Sequence, residues 1–384
     1  MNEHYVKVTR DGQLLRKIPS ERIELDYPGL QGRGEACMGM TSDGAIWAAV
    51  GFNVPRLDPG SPASPERLFR SMDGGHTWTS QPLPMTEWRR LLAFTALSDD
   101  TLLLAVSGLD RLLAPHLKVY GSTDGGDTWD GPASISAAPY KDIGGGFVSM
   151  TQLASGAVLL PVSRRTDDTG GHQGQNLVFR STDGGETWRD PQPTFDYVDE
   201  PHVIQLHSGE ILGAFRLQRS VLENDPACFV EKWGRQEVEG MSTAPSRDGL
   251  LFKRVFVGQS GDGGRSWTGL RPLEAKDGTS ILEFGECHGQ FLQVPDGRVL
   301  LVHDRRYPYD QSEIRARVSN DDGLTWEPEV YHLTDGMGYP ASVALEDGTI
   351  VIVTGCTRTD DRAVPIEPWA ATVLRWKLPA VVGS

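Results

Sequence analysis

Six apolar runs, each entered through a polar two-residue turn, recur along this chain. The turns are Asp43-Gly44, Asp99-Asp100, Ser155-Gly156, Ser208-Gly209, Asp296-Gly297 and Asp347-Gly348. The runs that follow them are Ala45–Val50, Thr101–Val106, Ala157–Val162, Glu210–Phe215, Arg298–His303 and Thr349–Thr354. Short runs bounded by turn residues read as strands, and helical periodicity is almost absent. The second turn residue advances by 56, 56, 53, 88 and 51 positions. That spacing predicts six units of about four strands each, an all-β six-bladed propeller formed by residues 1–384 as one domain.

A second repeat ends every unit but the last. Arg180-Ser181-Thr182-Asp183-Gly184-Gly185-Glu186-Thr187-Trp188 has near copies around Asp73, Asp124, Asp262 and Asp321. The chemistry is that of a hairpin turn. The Asp accepts backbone N–H groups, the glycines take φ > 0, and the Trp lies back over the turn as an apolar cover. Recurrence of this kind builds scaffold, so the motif is read as structural and remote from any ligand.

Two irregularities stand out. The last unit shows three strands, Tyr339–Leu345, Thr349–Thr354 and Ala370–Trp376. The segment around Tyr5–Thr9 or Arg22–Asp26 is expected to supply its outer strand and close the ring, which removes an exposed edge. The 88-residue step places a polar insertion of about 30 residues within Leu217–Val255, expected to overhang the ligand face as a lid.

Composition narrows the function. A net charge of −15 without a long basic run excludes general nucleic-acid or anionic-membrane binding. Cys37, Cys228, Cys287 and Cys356 are widely spaced, and His202, His288 and His303 lack ligand spacing, so neither disulfides nor a metal is expected. The first residues lack the apolar core of a secretion signal and no run approaches a membrane span. A cytoplasmic protein is expected, or a secreted one if a leader has been removed.

Alternating strand directions place the starts of first strands and the ends of second strands on one face. Arg33, Glu35, Arg89, Arg90, Asp142, Glu200, His202, Glu286, His288 and Tyr339 come from the first group. Asn53, Arg164, Arg165, Arg216, Asp304, Arg305, Arg306 and Arg358 come from the second. Polar groups at the mouth of an apolar scaffold form the usual ligand pocket, and Arg suits an anionic ligand.

The five Asp-Trp hairpins and the six-unit layout resemble the sialidase (neuraminidase) superfamily of Asp-box, or BNR-repeat, propellers over nearly the whole chain. The resemblance implies an exo-glycosidase with a Tyr nucleophile, an activating Glu, an Asp acid/base and three arginines on the substrate carboxylate. By position, Glu200 in Asp199-Glu200-Pro201-His202 resembles the activating Glu and Tyr339 in Gly338-Tyr339-Pro340 the nucleophile. Arg216 resembles the second arginine and Arg33 in Gly32-Arg33-Gly34-Glu35 the first. Three positions depart. Val50-Gly51-Phe52-Asn53 replaces the acid, with Asp58 the nearest carboxylate downstream. The third arginine falls near Gln311, leaving Arg305, Arg306 and Arg315 as displaced candidates, and Gly355-Cys356 stands where the family has a Glu.

The expected ligand is a small carbohydrate or glycoconjugate, without a cofactor; the oligomeric state stays open. Arg33, Glu35, Arg90, Arg216, His202, Glu286, His288, Arg305 and Arg306 are the candidate binding residues. Two alternatives remain: a uronate lyase or atypical glycosidase using His202 or His288 with Tyr339, and a non-catalytic carbohydrate-binding propeller.

Overall fold

Each of the six polar turns joins two antiparallel strands, and its second residue has a positive φ, from +68° at Asp100 to +91° at Gly209 and Gly297. The computed structural model describes residues 3–27, 33–53, 67–83, 89–108, 117–135, 143–144, 149–165, 174–236, 249–307, 309–356 and 370–380. Strands two extend past their apolar runs; the fourth is Ile211–Ser220 rather than Glu210–Phe215. Most of the added residues are polar or glycine, which hid the extensions from hydropathy.

The architecture is an all-β propeller. Among the described residues, two sheets have four strands, two have five and one has nine. The nine-stranded sheet begins at Glu286–Gln293, runs outward to Val330–Asp335, and continues through β1 (His4–Arg10) and β2 (Gln13–Glu24). It then returns inward through Ala370–Lys377 to Ala341–Ala344. Lys7–Thr9 of β1 pair with Val330–His332, and Ser20–Glu24 of β2 pair with Thr372–Trp376. Both candidate segments are therefore used, one on each side of the seam, and the described residues form five sheets, one of them continuous across it.

The Asp-Trp hairpins behave as the sequence predicts. Asp183 Oδ1 accepts from Thr187 N at 2.9 Å and Ser181 Oγ at 2.8 Å, while the Trp188 indole donates to Gly185 O at 2.9 Å. Hydrogen bonds led by the Thr128 hydroxyl hold Asp124 down to about 2. A Cβ on Gly185 would meet Leu103 at 2.8 Å, one on Gly264 would meet Leu159 at 2.9 Å, and one on Gly323 would meet Leu212 at 2.7 Å. Each leucine is the second residue of the preceding unit's second strand. The hairpins thus lock neighbouring units together at the end opposite Arg216. Inner-strand glutamines add to this: Gln152, Gln205 and Gln293 accept Ser98 N, Ala154 N and His207 N, each at 2.7 Å.

The insertion is shorter than its predicted bounds, because Leu217–Ser220 pair with Leu251–Arg254 and continue the two strands. Beyond them, helix α1 (Ala227–Trp233) buries Val230 and Trp233. Phe229 meets Phe252 edge to face at 5.0 Å, and Trp233 lies 6.3 Å from Phe256. This part packs on its own unit's third strand; residues 237–248, where the lid expectation also falls, lie outside the described residues.

Candidate active site

Two strand irregularities build the site. The register shifts between Asp199 and His202 in one inner strand, and between Cys287 and Gln290 in the next. Glu200 and His288 sit in these bulges at φ +44° and +50°. A left-handed non-Gly residue costs about 1 kcal/mol, so two at one mouth mark a held arrangement. Glu200 N donates to Ser163 Oγ at 3.1 Å and Asp199 Oδ1 at 2.8 Å, which fastens the first bulge.

Tyr339 comes from the facing side of the ring. It does not open a strand as expected, since the strand begins at Ala341, after Pro340. Pro340 has no N–H to offer a ladder. Instead Tyr339 bridges to Glu35, and its carbonyl accepts Ala36 N at 3.2 Å. This leaves the phenol buried, and its hydroxyl donates to Glu200 Oε1 at 2.9 Å.

Charged groups surround this pair. Arg216 reaches Asp199 at 2.6 Å and Glu200 Oε2 at 2.9 Å. His288 places Nε2 2.8 Å from Glu200 Oε2 and Nδ1 2.8 Å from Asp304 Oδ1. Its ring lies 3.9 Å from that of Tyr339, centroid to centroid. Arg306 donates through Nε to Asp304 at 3.0 Å, with its guanidinium 5.8 Å from the Tyr339 ring centre. Although burial opposes it, the Asp304 and Glu200 carboxylates hold Arg306 in its cationic form. Burial, helped by the Arg306 and Arg216 charges, pushes Lys253, on the neighbouring third strand, down to about 7.

Of the residues read from sequence, the structure gathers Tyr339, Glu200, Arg216, His288 and Arg306, with Glu35 beside them through the backbone bridge. His202 is elsewhere. It lines a cavity of about 320 Å³ on the axis below the site with Cys37, Phe94 and Gln290. Its Nδ1 accepts Phe291 N at 3.2 Å, and burial pushes its pKa down to about 3. Glu286 and Arg305 belong to a different group: Glu286 pairs with Arg315 at 2.8 Å, and Arg305 faces Glu283 at 3.4 Å. The backbone of Arg33 opens its strand and that of Arg90 is second in its own, while their side chains, like Asp58, Asp142 and Arg358, lie outside the described residues. Sequence reading placed Asp304 on the ligand face without giving it a partner, and missed Asp199; the acidic doublet Asp199-Glu200 opposite an arginine was the available signal.

Chemically, the cluster can take a phenolic proton onto a carboxylate that already sits within hydrogen-bond distance. Among the described residues, no group of three or more His, Cys, Asp or Glu is arranged to hold a metal ion. No described helix is long and apolar enough to cross a membrane.

The sequence profile of the BNR repeat-like domain matches residues 92–352. No curated protein matches the chain. Among solved structures, a protein of unknown function from Dyadobacter fermentans superposes with a TM-score of 0.67 at 19% identity, over 97% of this chain and 100% of that one. A Trypanosoma rangeli sialidase in complex with 2-keto-3-deoxy-D-glycero-D-galacto-2,3-difluoro-nononic acid gives 0.62 at 14% identity, over 93% of this chain and 58% of that one. A mutant α-L-arabinofuranosidase from Fusarium graminearum, in complex with an iminosugar inhibitor, gives 0.59 at 16% identity, over 92% and 96%. At these identities the likeness is one of fold.

Proposed function

Because the chain belongs to the BNR repeat-like domain family, we propose that it is a glycoside hydrolase acting on a terminal acidic sugar. The observation that carries this reading is the 2.9 Å hydrogen bond from the Tyr339 hydroxyl to Glu200. In it Tyr339 is the nucleophile and Glu200 the base that receives its proton. Arg216 is committed to Asp199 and Glu200, so its role is to hold the base in place, and Arg306 is the guanidinium that meets the substrate anion. The fold neighbours include a sialidase and an arabinofuranosidase in complex with sugar-like ligands, which favours a small carbohydrate as partner.

The same reading counts the ring as six blades in one domain. The nine-stranded sheet has two inner strands, Glu286–Gln293 and Ala341–Ala344, so it stands for two blades joined by β1 and β2. The axial cavity supports this count, since the inner strands of all six units line it.

Aryl glycosides of sialic, uronic and neutral sugars test the proposal. Their phenolate leaves without a proton, so the nucleophile is tested apart from any acid. Release of phenolate from an acidic sugar, lost in Tyr339→Phe, is the expected result. An unsaturated uronate product would favour instead the lyase reading, for which the close ring contact between His288 and Tyr339 speaks. Calorimetric binding without turnover of any substrate would leave a carbohydrate-binding propeller.

A further inference from the structure

We propose that the cavity on the ring axis is a second binding site, which takes one uncharged sugar or polyol of monosaccharide size. The repeat itself sets its wall. Cys37, Ser149, His202, Gln290 and Ala341 each stand seven positions before the second turn residue of their unit, and all five line the same cavity of about 320 Å³. From that level it reaches toward the polar turns, where exposed His207 lines it. There Gln205 and Gln293, also in its wall, donate to Gly209 O and Gly297 O, each at 2.9 Å. The cavity thus extends to the end of the ring opposite the Tyr339–Glu200 pair.

Two polar groups in this wall await a partner. Gln290 is 9% exposed, yet its side-chain amide makes no hydrogen bond to a described residue, and both amide atoms keep access to the cavity. Such an amide offers two donors and an acceptor. His202 offers a further donor. Its Nδ1 accepts Phe291 N at 3.2 Å, and its ring is neutral, burial having brought its pKa down to about 3. The single imidazole proton therefore sits on Nε2, which meets no other described group. Beside them the Ser149 hydroxyl accepts Val203 N at 2.7 Å, which leaves its own hydrogen to donate.

The rest of the wall selects the occupant. Among the described lining residues none carries a formal charge, so an ion would enter without a counter-charge. A hydrocarbon would pack on Met38, Phe94, Met150 and Phe291 but leave the Gln290 and His202 groups dry and unpaired. A sugar ring answers both demands, with hydroxyls for the polar groups and C–H faces for the phenyl and thioether walls. The volume lies at the lower end of the range for ligand pockets, about 300–1,000 Å³, and so suits one ring.

The two sites share their strands. The register shifts that place Glu200 and His288 at the mouth end at His202 and Gln290. An occupant bonded to both side chains joins the two bulged strands beneath the Tyr339–Glu200 pair. Its binding does not require Tyr339 to cleave anything.

Methionine-methyl NMR on the full chain reads both sites at once. Met38 and Met150 line the cavity, and Met337 stands two residues before Tyr339. D-galactose, D-glucose and myo-inositol are each titrated to about 100 mM, well past a weak dissociation constant of about 1 mM. At least one is expected to shift the Met38 and Met150 methyls saturably and to raise Tm, while D-glucuronate and benzene leave those methyls in place. Gln290→Leu keeps the volume and removes the amide, so affinity should fall by about tenfold or more in a folded chain. No shift with any of the three probes overturns the proposal and leaves the cavity to water. So does a probe that moves Met337 alone, since it occupies the mouth. A response of Met38 and Met150 to benzene or glucuronate, or one undiminished in Gln290→Leu, also overturns it. If Gln290→Leu does not fold, Ser149→Ala takes its place, with weaker binding expected and unchanged binding counting against the site.

Discussion

The Tyr339 hydroxyl and the Glu200 carboxylate, 139 residues apart in sequence, meet across the mouth of the ring at 2.9 Å. Neither residue can be moved there alone, because Glu200 sits in a strained bulge and Tyr339 is held through Glu35 and Ala36.

Tyr339→Phe removes the oxygen and keeps the ring. Turnover of the best aryl glycoside is expected to fall by roughly 10³-fold or more, with the dissociation constant of a substrate analogue little changed. Loss of one buried hydrogen bond costs about 1–2 kcal/mol, so the variant stays folded. Steady-state kinetics beside calorimetry check this; full activity would remove Tyr339 from the chemistry.

Gly184 and Gly185 make a matched pair. Both have positive φ, +71° and +95°, but an added Cβ meets nothing within 4 Å at Gly184 and Leu103 at 2.8 Å at Gly185. Gly184→Ala should cost about 1 kcal/mol of backbone strain. Gly185→Ala should cost about 2–4 kcal/mol, since it also forces two units apart. Urea midpoints compare them, and equal losses would contradict the locking role of the hairpin.

Glu286 tests the second charge cluster. Burial pushes its pKa up, but Arg317, His303 and Arg315 pull it down to about 2. A folded pKa below the unfolded value of about 4.3 contributes stability above that value, lost as pH falls toward about 2. Glu286→Gln is expected to cost about 3–5 kcal/mol at pH 7, because it takes a buried carboxylate away from the Arg315 and Arg317 guanidinium groups. The difference in Tm from the unaltered chain should shrink steadily below about pH 4; a constant difference would count against the pairing.

Lys253 gives the opposite slope. With a folded pKa of about 7, against about 10.4 unfolded, the unfolded chain binds the proton more tightly between these values. Stability should therefore rise with pH from about 7 to about 10, and the burial penalty is fully present below about 7. Lys253→Met should remove that slope and raise stability at pH 6 by roughly 1–3 kcal/mol. Thermal melts across that range decide, and an unchanged slope would show that Lys253 is not its source.

Much of this molecule was legible in its residues. The turns and hairpins carry local chemistry that does not depend on distant contacts, so they could be read directly. Tyr339, Glu200 and Arg216 followed from their places within units. The failures came from parity. Glu200 and His202, and likewise Glu286 and His288, are two residues apart, and a regular strand puts such pairs on one face. The bulges split both pairs, sending Glu200 and His288 to the mouth, His202 down the axis and Glu286 toward Arg315. A bulge adds a residue without a hydropathy signature, so alternation alone could not reveal it.

The seam made by β1 and β2 also sets a clock. The Thr9 hydroxyl meets His332, 323 residues later, and Ser20 pairs with Trp376. At 5–20 residues per second, ribosomal synthesis leaves β1 waiting roughly 15–65 s for its partner strand. During that time the early units can assemble while both edges of the seam stay open. Strand exchange between nascent chains is therefore most probable in this window, and a chaperone that shields β1 would act before the last strands emerge.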